Sequence, residues 1–156
     1  FMSDEADYTY MLAALEEANK AEGREEVPIG AVLVDPESGA IVARNGNRTR
    51  ELNDPTAHAE IMVIRDMCAL ADSQRIPGYD LYVTLEPCTM CAAAISFARI
   101  RRLVFGAPDI KGGGVEHGAQ CCEQPTCHHK AEVISGVEAE TCGNILTTFF
   151  QTMRQK

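Results

Sequence analysis

At 156 residues the chain is one domain's worth, because hydrophobic cores stop growing only beyond ~250 residues. Its 46% apolar and 24% charged composition, with no long uncharged apolar run, excludes membrane-spanning, collagenous and disordered classes. The net charge of -9 weighs against a generally basic nucleic-acid binder, but Asp4, Glu5, Asp7, Glu16, Glu17, Glu22, Glu25 and Glu26 supply most of it, leaving room for a local basic surface around Arg99, Arg101 and Arg102.

Residues 1–7 are acidic and lack the basic-then-apolar layout of a secretory signal, so a cytoplasmic location is expected, with residues 1–6 flexible. Tyr8, Met11, Leu12, Leu15 and Ala18 recur at helical spacing and predict a first amphipathic helix with a solvated acidic face. Ile29–Val34 is almost wholly apolar, as a strand buried on both faces would be; a turn at 35–39 and a strand over Ile41–Arg44 complete a hairpin. A polar loop, Asn45–Thr56, then leads into a helix over His58–Ala71, with Ile61, Ile64, Cys68 and Ala71 as its apolar stripe and Thr56 as its N-cap.

Leu81–Leu85 reads as a strand, Pro87 suits a first helical position, and Cys88–Phe97 reads as a small, apolar helix. After a strand at Leu103–Phe105 comes a long loop, Gly106–Lys130, in which Gly112, Gly113 and Gly114 are expected to be flexible. A short strand over Glu132–Ser135 and a helix over Glu138–Arg154 close the chain. Strands alternating with helices after a hairpin imply a single α/β sandwich with a partly parallel sheet.

Seven cysteines, an odd number without an export signal, favour thiolate or metal chemistry over a disulfide framework. Cys88 and Cys91 stand at i and i+3, which puts both sulfurs on one side of a helix, and His58 at another helix start can supply a third ligand. Three nitrogen or sulfur ligands suit a catalytic zinc, whose open fourth position takes water. Two converging helix N-termini would favour thiolates there. Glu60 is the candidate base. Two helical residues lie about 200° apart at this spacing, so His58 and Glu60 can share the site only at the helix entrance. The bland alternative is a lone histidine, a solvated glutamate and two small core cysteines.

Three segments carry a resemblance: Asp54-Pro55-Thr56-Ala57-His58-Ala59-Glu60-Ile61, Thr84-Leu85-Glu86-Pro87-Cys88-Thr89-Met90-Cys91 and Phe105-Gly106-Ala107-Pro108-Asp109-Ile110-Lys111-Gly112. They resemble the bacterial tRNA-specific adenosine deaminases of the zinc-dependent cytidine/deoxycytidylate deaminase superfamily, and the likeness runs from about Val27 to Phe150. The resemblance implies a three-layer α/β/α sandwich of the cytidine-deaminase type, with a mixed sheet of about five strands. It implies one Zn²⁺ per subunit on His58, Cys88 and Cys91, with Glu60 shuttling the proton as a wobble adenosine becomes inosine. It also implies a homodimer acting on a tRNA anticodon stem-loop, with no membrane or DNA partner. By the same resemblance Asn47 would bond the flipped nucleotide, Asp109 and Lys111 would meet the neighbouring ribose and phosphate, and Phe150 would stack on the anticodon. Turn, loop or core roles remain open for each of these four.

Rival readings share parts of this site. A deaminase of free guanine, cytosine or nucleosides would use the same zinc and glutamate, and the core motif does not separate it from the tRNA branch. A zinc-stabilised binding module would need a fourth ligand and no Glu60, and a peptidase would need His-Glu-x-x-His, which is absent. Cys121, Cys122, Cys127, His128 and His129 match no usual zinc spacing and are expected to form a surface or dimer-contact loop. Arg99, Arg101, Arg102, Lys130 and Arg154 are candidates for phosphate attraction or for a plain solvated face.

Overall fold

The computed structural model describes residues 4–155. The first three residues of the segment expected to be flexible lie outside that range, and the rest of it is helical: α1 spans Asp4–Gly23. Then follow β1 (Gly30–Val34), β2 (Ile41–Gly46), α2 (Ala59–Ala71), β3 (Asp80–Leu85), α3 (Thr89–Ala98), β4 (Arg102–Ala107), a single 3₁₀ turn at Cys121–Glu123, β5 (Glu132–Ile134) and α4 (Ala139–Arg154). The sheet order is β2-β1-β3-β4-β5, with β1 antiparallel to both neighbours and β3, β4 and β5 parallel.

Successive strand side chains point to opposite faces, and here both faces are apolar. Ala31, Leu33, Leu81, Val83, Leu103 and Phe105 meet Ala59, Val63 and Met67 of α2 and Ala92 and Ile95 of α3. Val32, Val34, Tyr82 and Val104 meet Met11, Ala14 and Leu15 of α1 and Cys142 of α4. The result is the expected α/β/α sandwich with a mixed five-stranded sheet. Burying each large aliphatic or aromatic side chain in these two layers contributes about 1.5–3 kcal/mol before entropy is counted. At Gly30 the first helix crosses so closely that a Cβ would stand 2.0 Å from the Ala14 carbonyl oxygen, so only glycine fits.

Several expectations need correction. The acidic face of α1 is not wholly solvated: Asp7 and Glu17 are buried, while Tyr8 and Leu12 lie at the exposed margin of the stripe. Asp7 accepts hydrogen bonds from Arg102 (2.8 and 2.9 Å) and from the Tyr82 hydroxyl (2.6 Å), an ion pair across 95 residues that ties α1 to the sheet. In α2 the buried stripe is Ala59, Ile61, Val63 and Met67; Ile64 and Cys68 only flank it and Ala71 is exposed. Pro87 precedes the N-cap of α3 and is not its first residue.

Topology decides where chemistry can sit. Because β1 is antiparallel to both β2 and β3, strands β2, β3 and β4 all point the same way. Their C-terminal ends deliver Asn47, Glu86–Cys88 and Asp109 to one edge of the sheet, where α2 and α3 also begin. That edge is where open α/β sheets place ligands.

Candidate metal centre and its rim

His58 and Cys88 are the N-caps of α2 and α3, both with extended backbone, and neither side chain caps its own helix. They turn toward each other instead. His58 Nδ1 lies 3.6 Å from Cys88 Sγ and 3.5 Å from Cys91 Sγ, and all three ligand atoms fall within 4.8 Å of one another. A tetrahedral zinc with ordinary Zn–S and Zn–N bonds would hold such sulfur and nitrogen atoms ~3.6 Å apart, so this donor set fits the ion. Among the described residues no other group of histidine, cysteine and carboxylate side chains could hold a metal. The 121–129 segment is instead held by local bonds, Cys127 Sγ to the His129 carbonyl (3.1 Å) and His129 Nε2 to the Ile100 carbonyl (2.7 Å).

The three candidate ligands are coupled through their hydrogen bonds. The hydrogen bond from Cys91, helped by His58, lowers the Cys88 thiol to about 4 despite burial, and the same bond raises Cys91. His58 is raised, first by its bond to Cys88. The lowering favours the Cys88 thiolate, the form that binds zinc. Glu60, second residue of α2, is buried and its carboxyl faces the Cys91 thiol. Burial pushes it up to about 7, against its own backbone N–H and His58.

Asn47 has a role that its sequence position hides. Its Oδ1 accepts the Ala59 N–H (2.9 Å), so it caps α2 from a distant loop in place of His58. Thr56, the expected cap, is bound to Asp54 Oδ1 through both its N–H (2.8 Å) and its hydroxyl (2.6 Å). The Asn47 backbone is fixed as well, its N–H donating to the Ile29 carbonyl and its carbonyl accepting from Arg24.

On the other rim, Asp109 Oδ1 accepts the Gly112 N–H (2.9 Å), while Lys111 is exposed. Phe150 is 47% exposed and packs edge-on against the less exposed Phe149, with ring centroids 5.3 Å apart. The structure therefore joins His58, Cys88, Cys91 and Glu60 directly and Asn47 through Ala59. Lys111 and Phe150 share no hydrogen bond or ion pair with that group among the described residues.

The candidate phosphate-attracting side chains are mostly engaged elsewhere. Arg102 is buried on Asp7, Arg101 grips Asp80 with two bonds (2.9 and 2.6 Å), Lys130 pairs with Glu123, and Arg99 donates to the Ser96 carbonyl.

Two buried carboxylates went unnoticed in the sequence. Glu26 accepts from the Arg50 and Glu51 N–H groups (3.2 and 2.8 Å) and the Thr49 hydroxyl (3.3 Å), holding the loop after Asn47. Glu86 does the same for the loop after β4. Burial opposes its ionisation, but N–H groups of Asp109, Glu116 and His117 and the His117 ring outweigh that and keep it below the usual carboxylate range. Their partners are mainly backbone N–H groups, so no residue-type signal marks either acid.

Comparison with known proteins agrees with this centre. Residues 4–107 match the family model of the cytidine and deoxycytidylate deaminase zinc-binding region. A tRNA-specific adenosine deaminase of Agrobacterium fabrum is 61% identical, over 93% of this chain and 94% of its own. A structure from studies of A-to-I editing by tRNA:A34 deaminases at the wobble position of transfer RNA is 62% identical with a TM-score of 0.86, covering 88% of this chain and 99% of its own. A guanine deaminase of Nitrosomonas europaea, at 21% identity and a TM-score of 0.79 over 91% of this chain and 83% of its own, shares the fold. The chain belongs to the cytidine and deoxycytidylate deaminase zinc-binding family, among its tRNA-specific adenosine deaminases.

Proposed function

We propose that this protein hydrolytically deaminates the wobble adenosine of a tRNA anticodon to inosine, releasing ammonia. The observation that carries the reading is a zinc-shaped set of His58 Nδ1, Cys88 Sγ and Cys91 Sγ with the buried Glu60 carboxyl against it, in a chain 61% identical to a tRNA-specific adenosine deaminase.

His58, Cys88 and Cys91 would hold the zinc, which would supply Lewis acidity that makes water a nucleophile near neutral pH. Glu60 accepts a proton from the attacking water and passes it to N1 of the adenine as the oxygen bonds to C6. Glu60 then takes the remaining proton from the new C6 hydroxyl and gives it to the C6 amine, the C6–N bond breaks as the C6 carbonyl forms, and ammonia leaves. Burial at the helix entrance suits Glu60 to this work, since a group that first takes and then gives a proton is most effective with a pKa near the working pH.

At the rim, the Nδ2 donors of Asn47 face the nucleotide, because its Oδ1 is committed to Ala59. Asp109 and Lys111 meet the flanking ribose and phosphate, and Phe150 stacks on an anticodon base. The same reading makes the chain a single-domain homodimer, with the exposed Phe97 of α3 offering an apolar contact, and places it in the cytoplasm with its tRNA. No helix among the described residues is long and apolar enough to cross a membrane.

The test is a substrate panel: zinc-loaded protein with a wobble-adenosine stem-loop, free adenosine, guanine and cytosine, products followed by mass spectrometry. Inosine from the stem-loop alone supports the reading. Turnover of only a free base moves the protein to the small-molecule branch.

A further inference from the structure

The loop after β4 is bound to one buried side chain. Glu86 stands between β3 and the Cys88 turn, fully enclosed. Its Oε1 accepts the Asp109 N–H (3.0 Å), and its Oε2 accepts the N–H groups of Val115 (3.2 Å), Glu116 (2.9 Å) and His117 (3.1 Å). His117 Nδ1 lies 2.7 Å from Oε1 and donates to it, because a carboxylate can only accept.

The loop also lies directly on the ligand turn. The Gly114 N–H donates to the Pro87 carbonyl (2.8 Å), and Gly113 bridges to Cys88. A Cβ on Gly113 would stand 2.4 Å from Glu86 Oε2, and one on Gly114 2.6 Å from the Thr89 backbone nitrogen. These glycines, expected to be flexible, are therefore tightly packed.

From this arrangement we infer that Glu86, with His117, is a positioning residue of the deaminase site: it fixes the 109–117 loop against the Cys88 turn and so sets where Asp109 and Lys111 meet the substrate. The inference rests on the proposed tRNA reading for what those two residues meet, but the clamp itself does not. Asp109 is held at both ends, its N–H on Glu86 and its carboxylate on Gly112, so a loop released from Glu86 loses the placement of its whole substrate-facing tip. Cys88 touches the loop only through the Gly113 backbone bridge, at the base of the loop and not at the 109–112 tip, so binding should suffer more than the chemical step.

The experiment uses full-length zinc-loaded protein and a wobble-adenosine stem-loop. Glu86→Gln sets an amide among N–H donors and can fail to fold, so the deciding variants are His117→Ala and His117→Asn, the second of which keeps a donor near the Nδ1 position. Amide hydrogen exchange at 109–117, zinc content, KM and kcat are measured for each. His117→Ala should speed exchange across the loop, keep zinc, and raise KM about tenfold with kcat within about threefold, and His117→Asn should recover much of the KM. Unchanged exchange overturns the clamp. Faster exchange with unchanged KM overturns the positioning role, as does zinc loss with falling kcat. A wild-type protein that makes no inosine from the stem-loop defeats the functional reading instead, while the exchange data still decide the clamp.

Discussion

Replacing Asn47 separates two duties that its side chain performs at once. Oδ1 caps α2 by accepting the Ala59 N–H at 2.9 Å in a buried setting, and the Nδ2 donors are assigned to substrate. Asn47→Ala leaves that N–H without a partner, which costs about 1–2 kcal/mol by comparison with other lost caps and orphaned buried donors. For a chain of this length that is a fall in Tm of about 3–6 °C. Asn47→Asp keeps an acceptor at the helix N-terminus, where negative charge is favoured by about 0.3–1 kcal/mol, though Glu60 nearby offsets part of it. Its Tm should stay within about 2 °C of the parent. Both variants lose the Nδ2 donors, so both should raise KM for the stem-loop. Thermal unfolding of zinc-loaded protein and steady-state kinetics read the two effects separately. An unchanged Tm in Asn47→Ala would refute the capping argument, and an Asn47→Asp variant with parental KM would show that the amide donors touch no substrate.

Three further outcomes are expected. Cys88→Ala should lose zinc and thermal stability, because two remaining ligands do not make a tetrahedral site; full zinc occupancy by elemental analysis would contradict the ligand set. Glu60→Gln should keep zinc and fold but lose turnover by about 10²- to 10⁴-fold, and near-normal kcat would remove Glu60 from proton transfer. Burial opposes ionisation of Asp7, but hydrogen bonds from Arg102 and Tyr82 outweigh it and hold its pKa below the usual carboxylate range, so its stabilisation is present above the unfolded pKa and is lost as pH falls through the folded one. The stability gap between wild type and Asp7→Asn, measured by urea unfolding, should therefore be flat from neutral to about pH 5 and close at lower pH; a gap that widens on acidification would reverse the assignment.

The strands and helices were legible because their signals are local. An apolar run such as 30–34 has to be buried on both faces, and punctuation at 35–39 marks the break between the first two strands. The clustering of His58, Cys88 and Cys91 was legible because its members sit in short motifs at helix starts, although the sequence did not say that His58 and Cys88 are the caps themselves or that Nδ1 is the atom facing the sulfurs.

What escaped was carried by partners far apart in the chain. Asn47 read as a loop residue because the helix it caps begins 12 residues later, and Asp7 read as a solvated charge because Arg102 is 95 residues away. Glu26 and Glu86 bind mainly backbone N–H groups, which carry no side-chain signature, so no pattern of residue types reveals them. Gly113 and Gly114 looked flexible for a related reason: close approach of two backbones and pure flexibility call for the same residue.

The central claim is that the His58, Cys88, Cys91 and Glu60 centre adds water to a wobble adenosine. It is tested most directly by incubating zinc-loaded protein with an anticodon stem-loop in water enriched in heavy oxygen, then digesting the RNA and weighing its nucleosides. The account predicts inosine at the wobble position alone, carrying the heavy oxygen at C6, and none from the Glu60→Gln protein. Unmodified adenosine, or inosine without the label, would contradict it.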